Sequence, residues 1–242
     1  MVLRHWFLKG TVQMTTRFQN GITNVGSSTA MGEFGSVDPS KYHVFFDDFD
    51  TKPIAAQWTL TAISVGTGTS AITVPDADGG LARITTAANE DDGIAAEWIS
   101  ETFLMESGKK SWIKARFLVG DAIQSDMIIG LHSTDTTPLD ATMRYAFVTA
   151  DGAATMNFNS DNNTTDSDSS TVLTLADDTY VTVGAYYDGV TTIKLFADDV
   201  LATTMTDITV PAAEMAVGFG YWNGAAGAET ADVDYILVAK ER

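Results

Sequence analysis

The chain has 242 residues, no cysteine, 45% hydrophobic residues with 10% aromatics, and a formal net charge of −18. Without cysteine there is no disulfide scaffold, thiolate metal site or cysteine nucleophile, and the apolar fraction argues against global disorder. So acidic a chain repels phosphate backbones, and no run approaches the ~20 apolar residues of a membrane span, so neither nucleic acid nor membrane is an expected partner.

The opening MVLRHWFLKGTVQ is broken by Arg4, His5 and Lys9 and lacks the apolar region of a signal peptide. Met14 begins MTTRFQNGITNVG, which reads as a start, so residues 1–13 are expected to be an upstream extension or the product of a misplaced initiation site. From Thr15 to Lys41 the chain is rich in Gly, Ser, Thr and Asn, with isolated hydrophobes at Phe18, Ile22, Val25, Met31 and Phe34. Their spacing follows neither helix nor strand periodicity, and a flexible linker carries fewer apolar residues. They predict an extended arm over residues 1–43 that anchors on the surface of a partner or of a neighbouring subunit, with Arg17 beside them for an acidic patch. The arm could instead fold back along its own domain as an extra edge strand.

From His43 onward, short β-rich runs alternate with Gly, Asp, Asn and Ser clusters. They predict strands at His43–Phe49, Thr59–Val65, Ala71–Val74, Leu81–Thr85, Ile94–Ile99, Trp112–Val119, Met127–Ser133 and Arg144–Thr149. The series continues with Thr155–Asn159, Val172–Leu175, Tyr180–Tyr187, Thr192–Ala197, Leu201–Met205, Met215–Trp222 and Val233–Ala239. In SWIKARFLV, Ile113, Ala115, Phe117 and Val119 share the expected inward face. Asp188-Gly189 between two β-runs is a strong hairpin signal, and Asp198-Asp199 repeats it. No amphipathic helix of 12 or more residues is predicted. One all-β antiparallel sandwich over residues 44–242 is the expected domain. Its inward positions should include Phe49, Trp58, Phe117, Ile129, Phe147, Phe158, Val183, Tyr187, Phe196, Phe219, Tyr235 and Leu237.

The combination of FFDDFD and QWTL near residue 50, the hairpin YYDGVTTIKLFADDVLA and the ending VDYILVAKER resembles a concanavalin A-like jelly roll of the laminin-G or glucanase type. That resemblance implies first and last strands lying near one another. A second resemblance covers nearly the whole chain. TRFQNGITNV, MGEFGSVDPSKYHVFFDDFD, ESGKKSWIKARFLVGDAIQSDMIIGLHSTDTTPLD and the ending are similar to virion structural proteins of marine tailed bacteriophages. It implies a particle protein without an activity, on the capsid exterior, with the major capsid protein as partner.

Glucanases of this fold carry E-x-D-x-x-E or a close variant on one strand, which sets two carboxylates ~5–5.5 Å apart. No such motif occurs: Glu97, Glu101 and Glu106 are spaced four and five apart, and Asp232 and Asp234 sit on the closing strand. His132 beside Ser133 and Asp135 is a weak triad pattern, since triads assemble from distant segments, and reads as a loop-edge histidine. In SDNNTTDSDSS, Asp161, Asn163, Asp166 and Asp168 are hard oxygen donors of the calcium type, without the Gly and terminal Glu of an EF-hand, and low hydrophobicity with interleaved Ser and Thr favours a solvated tip over a metal site. No nucleotide motif is present, so no cofactor is expected. The chain therefore reads as a non-enzymatic capsid decoration or cementing protein on a tailed-phage head. The alternative is a lectin-like carbohydrate-binding module that takes a host-surface glycan. Homo-oligomers are the common outcome for such surface proteins, with a trimer favoured over a dimer.

Overall fold

The computed structural model describes residues 40–50, 56–76, 78–150 and 152–242. The expected arm, with Arg17, Phe18, Ile22, Val25, Met31 and Phe34, lies outside the described residues apart from residues 40–43.

The described chain is built of strands. In order they are β1 (Tyr42–Asp47), β2 (Trp58–Ile63), β3 (Ala71–Thr73), β4 (Ala82–Thr85), β5 (Gly93–Trp98), β6 (Phe103–Leu104), β7 (Ser111–Val119) and β8 (Ser125–His132). There follow β9 (Met143–Ala150), β10 (Ala153–Asn162), β11 (Leu173–Thr174), β12 (Val181–Tyr187), β13 (Ile193–Ala197), β14 (Val200–Met205), β15 (Glu214–Asn223) and β16 (Thr230–Glu241). A 3-10 turn lies at Pro138–Asp140. Two eight-stranded antiparallel sheets result. The first runs β14-β13-β12-β7-β16-β4-β3 with β1 also on β16, and the second runs β11-β10-β9-β8-β15-β5-β2 with β6 also on β15. This is the antiparallel sandwich that the sequence predicts.

Local chemistry explains the strand joins. Asp188 Oδ1 accepts the N–H groups of Val190, Thr191 and Thr192, closing the β12–β13 turn. Asp198 and Asp199 both take positive φ between β13 and β14, the geometry of a two-residue hairpin matched to strand twist. Along β7, Ile113, Ala115, Phe117 and Val119 enter the core while their neighbours face outward. The core centres on an aromatic cluster in which Phe49, Trp58 and Phe219 meet edge-on or tilted at 5.3–6.0 Å, and Phe45 and Trp98 close it. Burying one such side chain contributes roughly 1.5–3 kcal/mol.

Nine of the twelve inward positions named from the sequence belong to the core cluster: Phe49, Trp58, Phe117, Ile129, Phe147, Phe158, Val183, Tyr187 and Phe219. Three do not. Phe196 is buried outside that cluster, opposite Gly184 at a register shift between β13 and β14. Tyr235 and Leu237 are half-exposed, and Ile236 and Val238 take their place. The cause is a bulge in β16 between Val233 and Tyr235, which adds one residue and reverses the alternation beyond it. The bulge divides β16: residues before it pair β4 and residues after it pair β1. Asp232 binds Arg83 through two hydrogen bonds of 2.7 Å, and Asp234 pairs with Arg116. Both aspartates are committed to the closing strand.

Candidate functional site

The outer face of the second sheet is where the polar groups with functional potential gather. Alternation and register place Glu97 of β5, Gly218 and Trp222 of β15, Asp126 and His132 of β8, Arg144 of β9 and Asp161 of β10 away from the core. Small residues floor this face. A side chain at Gly218 would strike the His132 ring, and one at Gly93 or Gly220 would strike the Trp222 indole. Both rings therefore lie flat on the sheet, a use of strand glycine that permits close approach.

Residues 133–142, which join β8 to β9, fold across the same face. Thr134 N–H donates to Glu101 Oε1 at 2.7 Å and Asp135 N–H to Glu97 Oε1 at 3.0 Å. At the other end Arg144 donates to the Leu139 carbonyl and binds Asp161 at 2.7 Å. Leu139 packs with Ile63 and Val148 on Ala95, Ile128, Ala146 and Trp222.

Burial sets the charge states. Glu97 is 2% exposed, and desolvation raises its carboxyl above the ordinary range despite the Asp135 hydrogen bond. His132 is fully buried, and desolvation lowers it against the pull of the Ser133 carbonyl and the charges of Asp135 and Glu101. Its Nδ1 lies 3.1 Å from the Ser133 carbonyl and 3.4 Å from Glu97 Oε1, and its Nε2 has no partner. A neutral imidazole donating from Nδ1 fits these contacts. His132 is thus the last residue of β8, at the loop edge with an ordinary hydrogen bond as the sequence suggests, but fully buried. Glu97 stands in register with Thr59 and Gly218 of the flanking strands, and the nearby Asp135 and Glu101 carboxylates add to its upward shift.

Further along the same face, where Gly93, Trp222 and Asp126 lie side by side in register, a pocket of about 180 Å³ opens between Ile63, Asp91, Asp126, Thr137, Leu139, Asp140 and Trp222. Its rim is firmly held. Asp92 accepts the N–H groups of Val65 and Asn89, which hold its carboxyl below the ordinary range. Asn223 donates to the carbonyls of Ala87 and Asn89 at 2.6 and 3.1 Å. The Trp222 Nε1 has no hydrogen-bond partner.

The four calcium-type donors do not assemble on one ion. Asp161 is buried against Arg144, and burial outweighs that cation to raise its carboxyl. Asn163 takes φ 72° in an exposed turn, Asp166 is exposed, and Asp168 bridges Asn159. No group of three His, Asp or Glu converges as a metal ion requires among the described residues. Among the aromatic residues of the strands, Trp58, Tyr187 and Tyr221 are core, and Trp112 and Tyr186 pack against each other on the first sheet. Trp222 lines the pocket. The Glu97–His132 pair and the pocket escaped sequence reading. The glycines inside β5 and β15 were the available signal.

No protein-family model matches the sequence, and no curated protein matches it. Solved structures do. An endo-1,3-beta-glucanase from Streptomyces sioyaensis is 15% identical, with a TM-score of 0.56 over 85% of this chain and 99% of that one. The Emp47p carbohydrate recognition domain is 12% identical, with a TM-score of 0.57 over 84% and 98%. A carbohydrate esterase from Shiga toxin-encoding bacteriophage phi24B is 15% identical, with a TM-score of 0.50 over 81% and 96%. At such identities the likeness is one of fold, and the fold is the concanavalin A-like jelly roll of glucanases and lectins.

Proposed function

We propose that the chain is a non-enzymatic, lectin-like carbohydrate-binding module. The observation that carries this reading is the outer face of the second sheet. It offers an indole N–H without a partner beside a pocket rimmed by carboxylates, whereas its buried carboxylates Glu97 and Asp161 are each engaged. Glu97 serves the backbone of 133–142, and Asp161 serves Arg144. A glycosidase needs a free acid and a free nucleophile across a scissile bond, whereas Glu97 and its neighbour Glu101 both accept backbone N–H groups of 133–142. That fold neighbours include a glucanase and a carbohydrate recognition domain supports the ligand class.

A second reading, favoured by the whole-chain sequence resemblance, is a capsid decoration protein attached to the major capsid protein through the arm at residues 15–42. The two are compatible, since a decoration protein can present a glycan-binding face. A glycan array and co-sedimentation with purified capsids test them separately. Glycan binding is the expected result for the first. An array with no hits, together with capsid binding that is lost from a chain starting at Lys41, would replace the first reading with the second.

A further inference from the structure

We infer that the pocket beside Trp222 seats a single neutral, hydroxyl-rich sugar ring and rejects acidic ones. The inference rests on the carbohydrate-binding reading and gives it a seat and a specificity. Asp91, Asp126 and Asp140 reach the pocket from three separate segments: the turn before β5, strand β8, and the 3-10 turn. Asp91 and Asp140 make no ion pair among the described residues.

A second observation is independent of these carboxylates. Trp222 is only 4% exposed, it lines the pocket, and its Nε1–H has no partner. The pyrrole edge of the indole lies over Gly93, which is paired with Ile63 and follows Asp91 by two residues. Both of those neighbours wall the pocket, so the unpaired donor sits at its side.

A donor among carboxylate acceptors is matched by a hydroxyl, which donates to carboxylates and accepts from N–H. A sugar ring presents such hydroxyls on adjacent carbons and C–H faces for Ile63, Leu139 and the indole. A lone cation would leave the indole N–H unpaired, and a sugar carboxylate would meet three like charges. At about 180 Å³ the pocket is smaller than the ~300–1,000 Å³ of drug-sized sites, so it admits one ring. Leu139, packed against Trp222, is the wall that the ring must shift to reach the N–H.

The test uses the full chain labelled with ¹⁵N, with the Trp222 indole resonance assigned by its loss in Trp222→Phe. Glucose, galactose, mannose, N-acetylglucosamine, glucuronate, sialic acid and glucosamine are titrated, followed by any glycan found on the array. The expected result is a shift of the Trp222 resonance by at least one neutral sugar, with acidic sugars at least tenfold weaker. Asp140→Asn, at an exposed position, should weaken the neutral sugar at least tenfold with an unchanged melting temperature. A glycan that binds while Trp222 and the Asp140→Asn affinity stay unmoved overturns the pocket and leaves the carbohydrate reading standing. Binding of glucosamine alone overturns the inference in favour of a cation site, and equal binding of acidic sugars overturns the specificity. If nothing on the array or in the titrations binds, both readings fall.

Discussion

Asn223, the last residue of β15, is fully buried and accepts from Thr86 Oγ1 while donating to the carbonyls of Ala87 and Asn89. Asn223→Ala would strand those buried groups, and an unsatisfied buried polar atom costs about 1–3 kcal/mol. A loss of at least that size is expected in urea titration. His132 gives a pH signature. Burial holds its folded pKa below the unfolded value, so the unfolded chain binds the extra proton and stability falls as pH drops below ~6.5, by at most about 1.4 kcal/mol per pH unit. His43 is lowered by burial and by Arg242 and Lys240, and acts in the same direction. Glu97 and Asp161 are raised by burial, so their protonation favours the folded state and opposes the loss at lower pH. His132→Asn should flatten the slope between pH 6.5 and 5 in denaturant titrations at stepped pH. A slope unchanged by the substitution would mean that His132 is not the group titrating. None of these partnerships was legible in the sequence. Asn223 and Ala87 are 136 positions apart, Glu97 and His132 are 35 apart, and no local pattern announces a contact across strands.

Single elements were legible where their pattern is complete within one strand. SWIKARFLV shows its two faces because burial in β7 alternates without a fault from Ile113 to Val119. The two-residue β6 was missed, since a pair of residues has no periodicity and pairs only with Glu214 and Met215. In β16 the alternation is visible but its phase is not. The bulge at Asp234 depends on the Arg116 partner and on two different strands, β4 and β1, that must be served in succession. Ile236 is fully buried whereas Leu237 is half-exposed, so the two adjacent positions should respond very differently. Ile236→Ala should cost about 2–5 kcal/mol, and Leu237→Ala less than half as much, read from midpoints of guanidinium unfolding. Equal losses would place the phase of the strand on the other face.

At the scale of the whole molecule, the chain cannot close until its end is present. β16 lies inside the first sheet, flanked by β7 on one side and by β4 and β1 on the other. Its residues Ala231, Val233, Ile236 and Val238 all enter the core. Removing it would separate β1 and the β3–β4 pair from the rest of that sheet, expose the β7 edge and open the core along its length. Composition and turn signals could not foretell this, because they report strands without their order; only the jelly-roll resemblance implied that first and last strands are neighbours. A chain ending at Glu229 is therefore expected to lack a cooperative thermal transition, to lose its near-ultraviolet circular dichroism and to be digested rapidly by protease. Adding residues 230–242 as a separate peptide should restore protection, since the peptide can supply the missing strand by pairing along an exposed edge. Folding of the intact chain should also be slow for its stability, in the millisecond-to-second range typical of non-local sheets, because β1 pairs with residues almost two hundred positions away. A truncated chain that unfolds cooperatively and resists protease would show that the first sheet forms without its central strand, contrary to the topology.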